Sequence, residues 1–225
     1  MTLHPLLRPA PVSGHPSGRR TLLAVAVAAL LVSALGGCAP IVMGGAAVSG
    51  VLFASDRRTS GTVVDDQGIE LKAGPRIREA VGERGHINVT SFNRVLLLTG
   101  EVPTEADKAA VAAALTKLEN VKGLLDELAV APSSSLLDRS NDALITSKVK
   151  ASYVDAKDLF ANAFKVVTER GVVFLMGRVT EREALRAVEI ARGVGGVKKV
   201  VRAFEILTEA ELAQVQPPTS PPAAK

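Results

Sequence analysis

The sequence has one cysteine, Cys38, and no tryptophan, and aromatic residues make up only 3% of its 225 positions. A single cysteine excludes an intramolecular disulfide framework and any paired-cysteine zinc knuckle. So few aromatics argue against a carbohydrate cleft or a base-stacking platform. Histidine is scarce too, with three in the chain. What is abundant is apolar: 47% of residues, against 22% charged, which excludes disorder of the whole chain. The mean hydropathy of +0.24 is high for a soluble protein, so the location of the apolar residues matters.

Much of it lies at the N-terminus. Residues 1–20 contain Arg8, Arg19 and Arg20 and no acid, and Thr21–Leu35 is an unbroken apolar run of 15 residues. That is short of the roughly 20 residues a membrane-spanning helix needs, but suits the apolar region of a signal peptide. Leu35-Gly36-Gly37-Cys38 follows, a pattern that resembles a bacterial lipobox. Such a site needs small side chains where the peptidase closes on the backbone, then a thiol to carry the lipid. The only cysteine falls at the expected distance. The expectation is therefore a signal peptide over 1–37 and lipidation at Cys38; a signal anchor with an incidental cysteine is the alternative. Multiple acyl chains, at about 0.8 kcal/mol per buried methylene, anchor far more firmly than one. Ala39, where Asp would be the usual inner-membrane retention signal, points to the outer membrane and its periplasmic face. A nucleic-acid partner, which the pI of about 9.4 invites, does not fit that location. The long positively charged region also leaves room for a start codon downstream of Met1.

Residues 38–64 are small, Gly-rich and a poor helix, and are expected to form a tether with no fold of its own. A segment that inserts into lipid or threads a pore is the alternative. Beyond it lies an internal repeat. Val89–Val102 matches Val166–Val179 at an offset of 77, pairing Val95 with Val172, Leu98 with Leu175 and Gly100 with Gly177. Both stretches read as hairpins turning at Asn93 and at Arg170-Gly171. Thr104 with Asp107, and Thr180 with Glu183, match the start signal of a following helix. Short strands close each copy at Val121–Leu125 and Val197–Val201. A helix over Ser140–Val154 leads the second copy, and a weaker one around Arg76–Val81, interrupted at Gly74-Pro75, leads the first. The expected fold is α+β, with two tandem αββαβ domains over 65–131 and 139–207. Each places two helices on a three-stranded mixed sheet. A linker over 132–138 joins them, and a disordered Pro-rich tail over 208–225 follows. Units so small are marginal alone, so packing between them is expected to help.

Two αββαβ units behind a lipobox, with a glycine ending the second strand of each, resemble the BON domains of outer-membrane lipoproteins. Asn88-Val89-Thr90, Phe174-Leu175-Met176-Gly177, Val179-Thr180-Glu181-Arg182-Glu183-Ala184 and Gly196-Val197-Lys198 carry the likeness. The resemblance implies binding of anionic phospholipid, especially phosphatidylglycerol, by the second domain. It also implies support of outer-membrane integrity, and association with division sites and with the outer-membrane protein assembly machinery. It implies no catalysis and no cofactor. The broken leading helix is where the first copy departs from the pattern.

Charge separates the two copies. Asp65–Val130 has 8 bases and 11 acids, net −3, whereas Arg139–Leu207 has 13 bases and 8 acids, net +5. Only the second suits an anionic surface. On its leading helix, Ile145, Val149 and Ser152/Tyr153 share the face expected to pack on the sheet. Leu144, Ser147, Lys148 and Ala151 fall on the adjoining flank, where an apolar side chain beside a lysine suits insertion among headgroups. The plainer reading makes Leu144 the periphery of the core. Gly100 and Gly177 are expected to be structural. No Ser-His-Asp set, metal cluster or phosphate-cradling loop is legible. His86 is expected at the surface before the first strand, and Asp65-Asp66 and Asp126-Glu127 as solvated turn or strand-edge charges. A protein-interaction scaffold, working through the acidic first copy or the tether, is the other functional expectation.

Overall fold

A computed structural model describes residues 56–215. The expected signal peptide, Cys38 and the part of the expected tether up to Ser55 lie outside the described residues, as does the stretch from Gln216.

Each repeat is organised around a two-residue hairpin turn. In the first, β1 (His86–Phe92) pairs antiparallel with β2 (Val95–Val102), Phe92 opposite Val95. In the second, β5 (Phe164–Glu169) pairs with β6 (Val172–Val179), Glu169 opposite Val172. Both turn residues take positive φ, Asn93 and Arg94 in one and Arg170 and Gly171 in the other, which matches the twist of paired strands. Positive φ is unfavourable for arginine, and a buried aspartate on the preceding helix offsets it. Asp66 accepts the N–H groups of Asn93 and Arg94 at 2.8 and 2.7 Å; Asp142 accepts those of Arg170 and Gly171 at 2.7 and 2.8 Å. Asp66 is thus no solvated turn charge: it is 2% exposed and also takes Ser91 Oγ and Arg58.

The leading helices are longer than their sequences suggest. α1 spans Ser60–Val81, capped by Thr59, so it begins inside the stretch expected to be an unstructured tether. It also runs through Pro75. Gly74 lacks the Cβ that a following proline ring would crowd. Leu71, whose carbonyl loses its donor, is 78% exposed, so water can replace the missing bond. α3 spans Leu136–Asp155, taking in the end of the expected linker, because Ser135 and Asp138 form a reciprocal capping box. The helices that follow the hairpins, α2 (Glu105–Leu115) and α4 (Glu181–Gly193), start at the Thr104 and Thr180 caps.

The third strand of each sheet runs parallel to the second. β7 (Lys199–Ile206) pairs with β6, and β3 (Gly123–Asp126) with β2; short β4 (Ala129–Val130) continues along β2 after a break at Glu127-Leu128. The stretch expected to be a disordered tail opens with a helix: α5 (Glu209–Val215) follows a Thr208 cap that bonds Glu211, and buries Leu212.

Helices cover one face of each sheet. Ile69, Ala73, Ile77 and Val81 of α1 pack with Leu96, Leu98 and Val102; Ile145, Val149 and Tyr153 of α3 pack with Val166, Val173 and Leu175. Burying each large apolar side chain contributes roughly 1.5–3 kcal/mol. The opposite faces meet each other: Phe92 and Leu97 of the first sheet form a cluster with Phe174 and Met176 of the second. The result is a helix–sheet–sheet–helix sandwich, in which each small domain covers the other's bare sheet.

Candidate functional site

On α3 the buried face and the exposed flank separate cleanly. Ile145, Val149 and Tyr153 are buried, and the Tyr153 hydroxyl donates to Ala187 O at 3.0 Å, burial pushing its pKa up. Leu144, Ser147, Lys148 and Ala151 are all exposed, Leu144 by 57%. Ser147 Oγ turns back to Ala143 O. Because the helix starts at Leu136, inside the stretch expected to be linker, it carries a further apolar position. Leu137 is 72% exposed and lies seven residues before Leu144, hence on the same flank. Leu137, Leu144, Lys148 and Ala151 thus form one exposed stripe along the helix.

Lys148 and Leu144 also border a groove of about 680 Å³, whose far side is lined by Arg170, Gly171, Gly196 and Lys198. The Lys198 stem lies over Gly171, where an added Cβ would come within 2.9 Å of it. Three acids line the same groove, and each is engaged by N–H donors. Asp142 holds the hairpin turn, Glu101 accepts Ser134 N–H at 3.1 Å, and Asp138 closes the Ser135 cap. Hydrogen bonds from Ser135, with Lys198 and Arg170 nearby, lower the Asp138 pKa. Lys148, Arg170 and Lys198 themselves take part in no salt bridge among the described residues. Arg170 and Lys198 had no sequence signal, since they reach the groove from loops remote from α3.

The two glycines sit at close approaches. Gly100 has φ of 110°, and a Cβ there would lie 2.0 Å from His86 O; at Gly177 it would lie 2.5 Å from Ala163 O.

A second polar site lies at one end of the sheet–sheet interface. His86 is not ahead of the first strand but begins it, directly opposite Glu101, and is half-buried. Glu101 is fully buried, and Glu169 of the second domain is 6% exposed and accepts Asn88 Nδ2 at 2.9 Å. Burial raises the Glu169 pKa, Glu101 and Asp142 adding to the effect and Asn88 and His86 opposing it.

A strap joins the domains on another side. Arg57 makes a bidentate pair with Glu183, at 2.7 and 2.8 Å, and bonds Arg178 O; the next residue, Arg58, pairs with Asp66 of the first domain.

The geometry defines a tandem αββαβ protein in which an amphipathic helix flank borders a groove lined by three bases and three acids. The chain belongs to the BON domain family, whose model matches residues 65–132 and 141–208. It is similar to the outer membrane lipoprotein DolP of Haemophilus influenzae, with 37% identity over 176 residues, covering 77% of this chain and 90% of that protein. The 21 kDa hemolysin of Actinobacillus pleuropneumoniae is 31% identical over 65% of this chain and 77% of its own length. The osmotically-inducible protein Y of Escherichia coli is 29% identical, over 62% and 72% respectively. Among the described residues no helix is long and apolar enough to cross a membrane.

Proposed function

We propose that this protein is a lipoprotein held at the periplasmic face of the outer membrane by acyl chains on Cys38. There it binds anionic phospholipid, phosphatidylglycerol foremost, through its second BON domain, and in that way supports outer-membrane integrity. The lipobox and the likeness to an outer membrane lipoprotein support the location. The observation that carries the binding is the α3 stripe, with Leu137 and Leu144 exposed beside Lys148 at the mouth of the groove. The leucines enter the acyl boundary, while Lys148, Arg170 and Lys198 meet the phosphates, each well-placed base contributing about 1 kcal/mol. No chemical step is part of this reading. In a titration with phosphatidylglycerol micelles, NMR shifts concentrate on residues 137–151 and fall sharply in Leu144→Glu and Lys148→Glu. Equal shifts over both domains, or none, contradict it.

A second reading is favoured by α1. Val64 and Leu71, 66% and 78% exposed, lie seven residues apart on one flank of the acidic first domain. They suit a protein partner, and the outer-membrane protein assembly machinery is the partner proposed. A crosslinker placed at Leu71 then captures an envelope protein, and Leu144→Glu leaves that capture unchanged.

A further inference from the structure

We propose that His86, Glu101 and Glu169 form a binding site for a first-row divalent cation of the zinc type, at the junction of the two domains. No ligand spacing announces it in the sequence, because the fold assembles it from three strands. His86 and Glu101 face each other across β1 and β2, and Glu169 arrives from the end of β5 in the other sheet. One ligand atom from each lies within 4.8 Å of the other two.

Two observations point to an occupant. Glu101 is 0% exposed, yet only its Oε2 is held, by Ser134 N–H, while its buried Oε1 has no hydrogen-bond partner. His86 Nδ1 is likewise buried without a partner, 3.7 Å from Glu101 Oε2. Glu169 repeats the pattern, with Oε2 taking Asn88 Nδ2. Each carboxylate therefore has one oxygen fixed by a neutral donor, as metal-binding carboxylates commonly do.

The surrounding groups do not balance the charge. Arg139, which lines the adjoining cavity of about 380 Å³, directs its guanidinium to Ser134 O at 2.9 Å and Ser134 Oγ at 3.2 Å. Asp142, on the same cavity wall, adds a further negative charge whose oxygens are committed to the Arg170-Gly171 turn. Two buried carboxylates are poorly compensated by neutral hydrogen-bond donors alone. One imidazole and two carboxylates, without thiolate, suit zinc and its neighbours, with a fourth position left for water from the cavity. Ligands from both domains make the cation a clamp across the sandwich.

The test is a Zn²⁺ titration of the full chain in detergent after chelator treatment, read by calorimetry and by thermal unfolding. One ion binds per chain and raises the melting temperature. His86→Gln, Glu101→Gln and Glu169→Gln each weaken binding by about tenfold or more, a drop of the size seen on disturbing a metal shell. Without metal, each still unfolds cooperatively. His86→Gln and Glu169→Gln suffice if the fully buried Glu101→Gln variant does not fold. Absence of saturable binding overturns the proposal. So does binding that survives in His86→Gln, which places the ion elsewhere on the chain. A stabilisation that needs only acid pH, is indifferent to Zn²⁺ and vanishes in the variants assigns the site to a shared proton instead.

Discussion

Arg57 shows how much one side chain can do at the edge of a domain. It is 3% exposed, grips both oxygens of Glu183 and stacks on Phe160 with its guanidinium carbon 5.3 Å from the ring centre. Burial pushes the Glu183 pKa up, but Arg57 and the Thr180 N–H outweigh it, holding the carboxyl below its ordinary range. A lowered carboxylate pKa stabilises the fold above the unfolded value and loses that effect as pH falls through the folded one. Arg57→Ala leaves Glu183 buried without its cation, at a cost of about 3–5 kcal/mol at neutral pH in urea unfolding. The gap to wild type narrows as pH falls below the ordinary glutamate value of 4.5, where Glu183 takes up a proton; an equal gap at acid and neutral pH contradicts the assignment. Gly100 makes a different demand. Alanine there has to hold a positive φ with its Cβ 2.0 Å from the His86 carbonyl, which requires β1 and β2 to part. Gly100→Ala is expected to cost at least about 2 kcal/mol. Gly177→Ala, with a 2.5 Å approach and no positive φ, costs less; the same unfolding experiment ranks them.

Among the elements, α3 carries the functional proposal, and its two ends explain what the sequence could and could not reveal. Its buried face was legible because Ile145, Val149 and Tyr153 recur at helical spacing, and the same spacing put Leu144 and Lys148 on the flank. Its start was not, because the Ser135 cap lies in a run of serines after Pro132, which reads as linker. α1 was harder. Its stripe of Ile69, Ala73, Ile77 and Val81 is diluted by Gly68, Gly74 and Pro75, and the partners of Asp66 lie in a hairpin turn remote in sequence. The hairpins and the Thr104 and Thr180 caps were plain, since alternation and capping are local signals. Arg170, Lys198 and the His86–Glu101–Glu169 group were not, since only tertiary packing brings them together. If the stripe on α3 is one surface, Leu137→Glu weakens micelle binding as Leu144→Glu does, and Leu71→Glu on α1 leaves it unchanged. A Leu137→Glu protein that binds like wild type confines the lipid contact to the C-terminal part of the helix.

For the whole molecule, the face-to-face packing of the sheets accounts for two small domains persisting as a pair. Phe92, Leu97, Phe174 and Met176 cover surfaces that either domain alone would expose. The packing also leaves the helical layers outward, so the α3 flank faces away from the interface while the first domain keeps its net −3 apart from the second domain's +5. That polarity, more than the chain's overall +4, is what suits one domain to an anionic surface. The most direct measurement is an NMR titration of the paired domains with phosphatidylglycerol micelles, set against a zwitterionic lipid. The account predicts shifts gathered on residues 137–151 and the groove around Arg170 and Lys198, seen only with the anionic lipid and lost in Lys148→Glu. Shifts spread evenly over both domains, or the same response to the zwitterionic lipid, would contradict it.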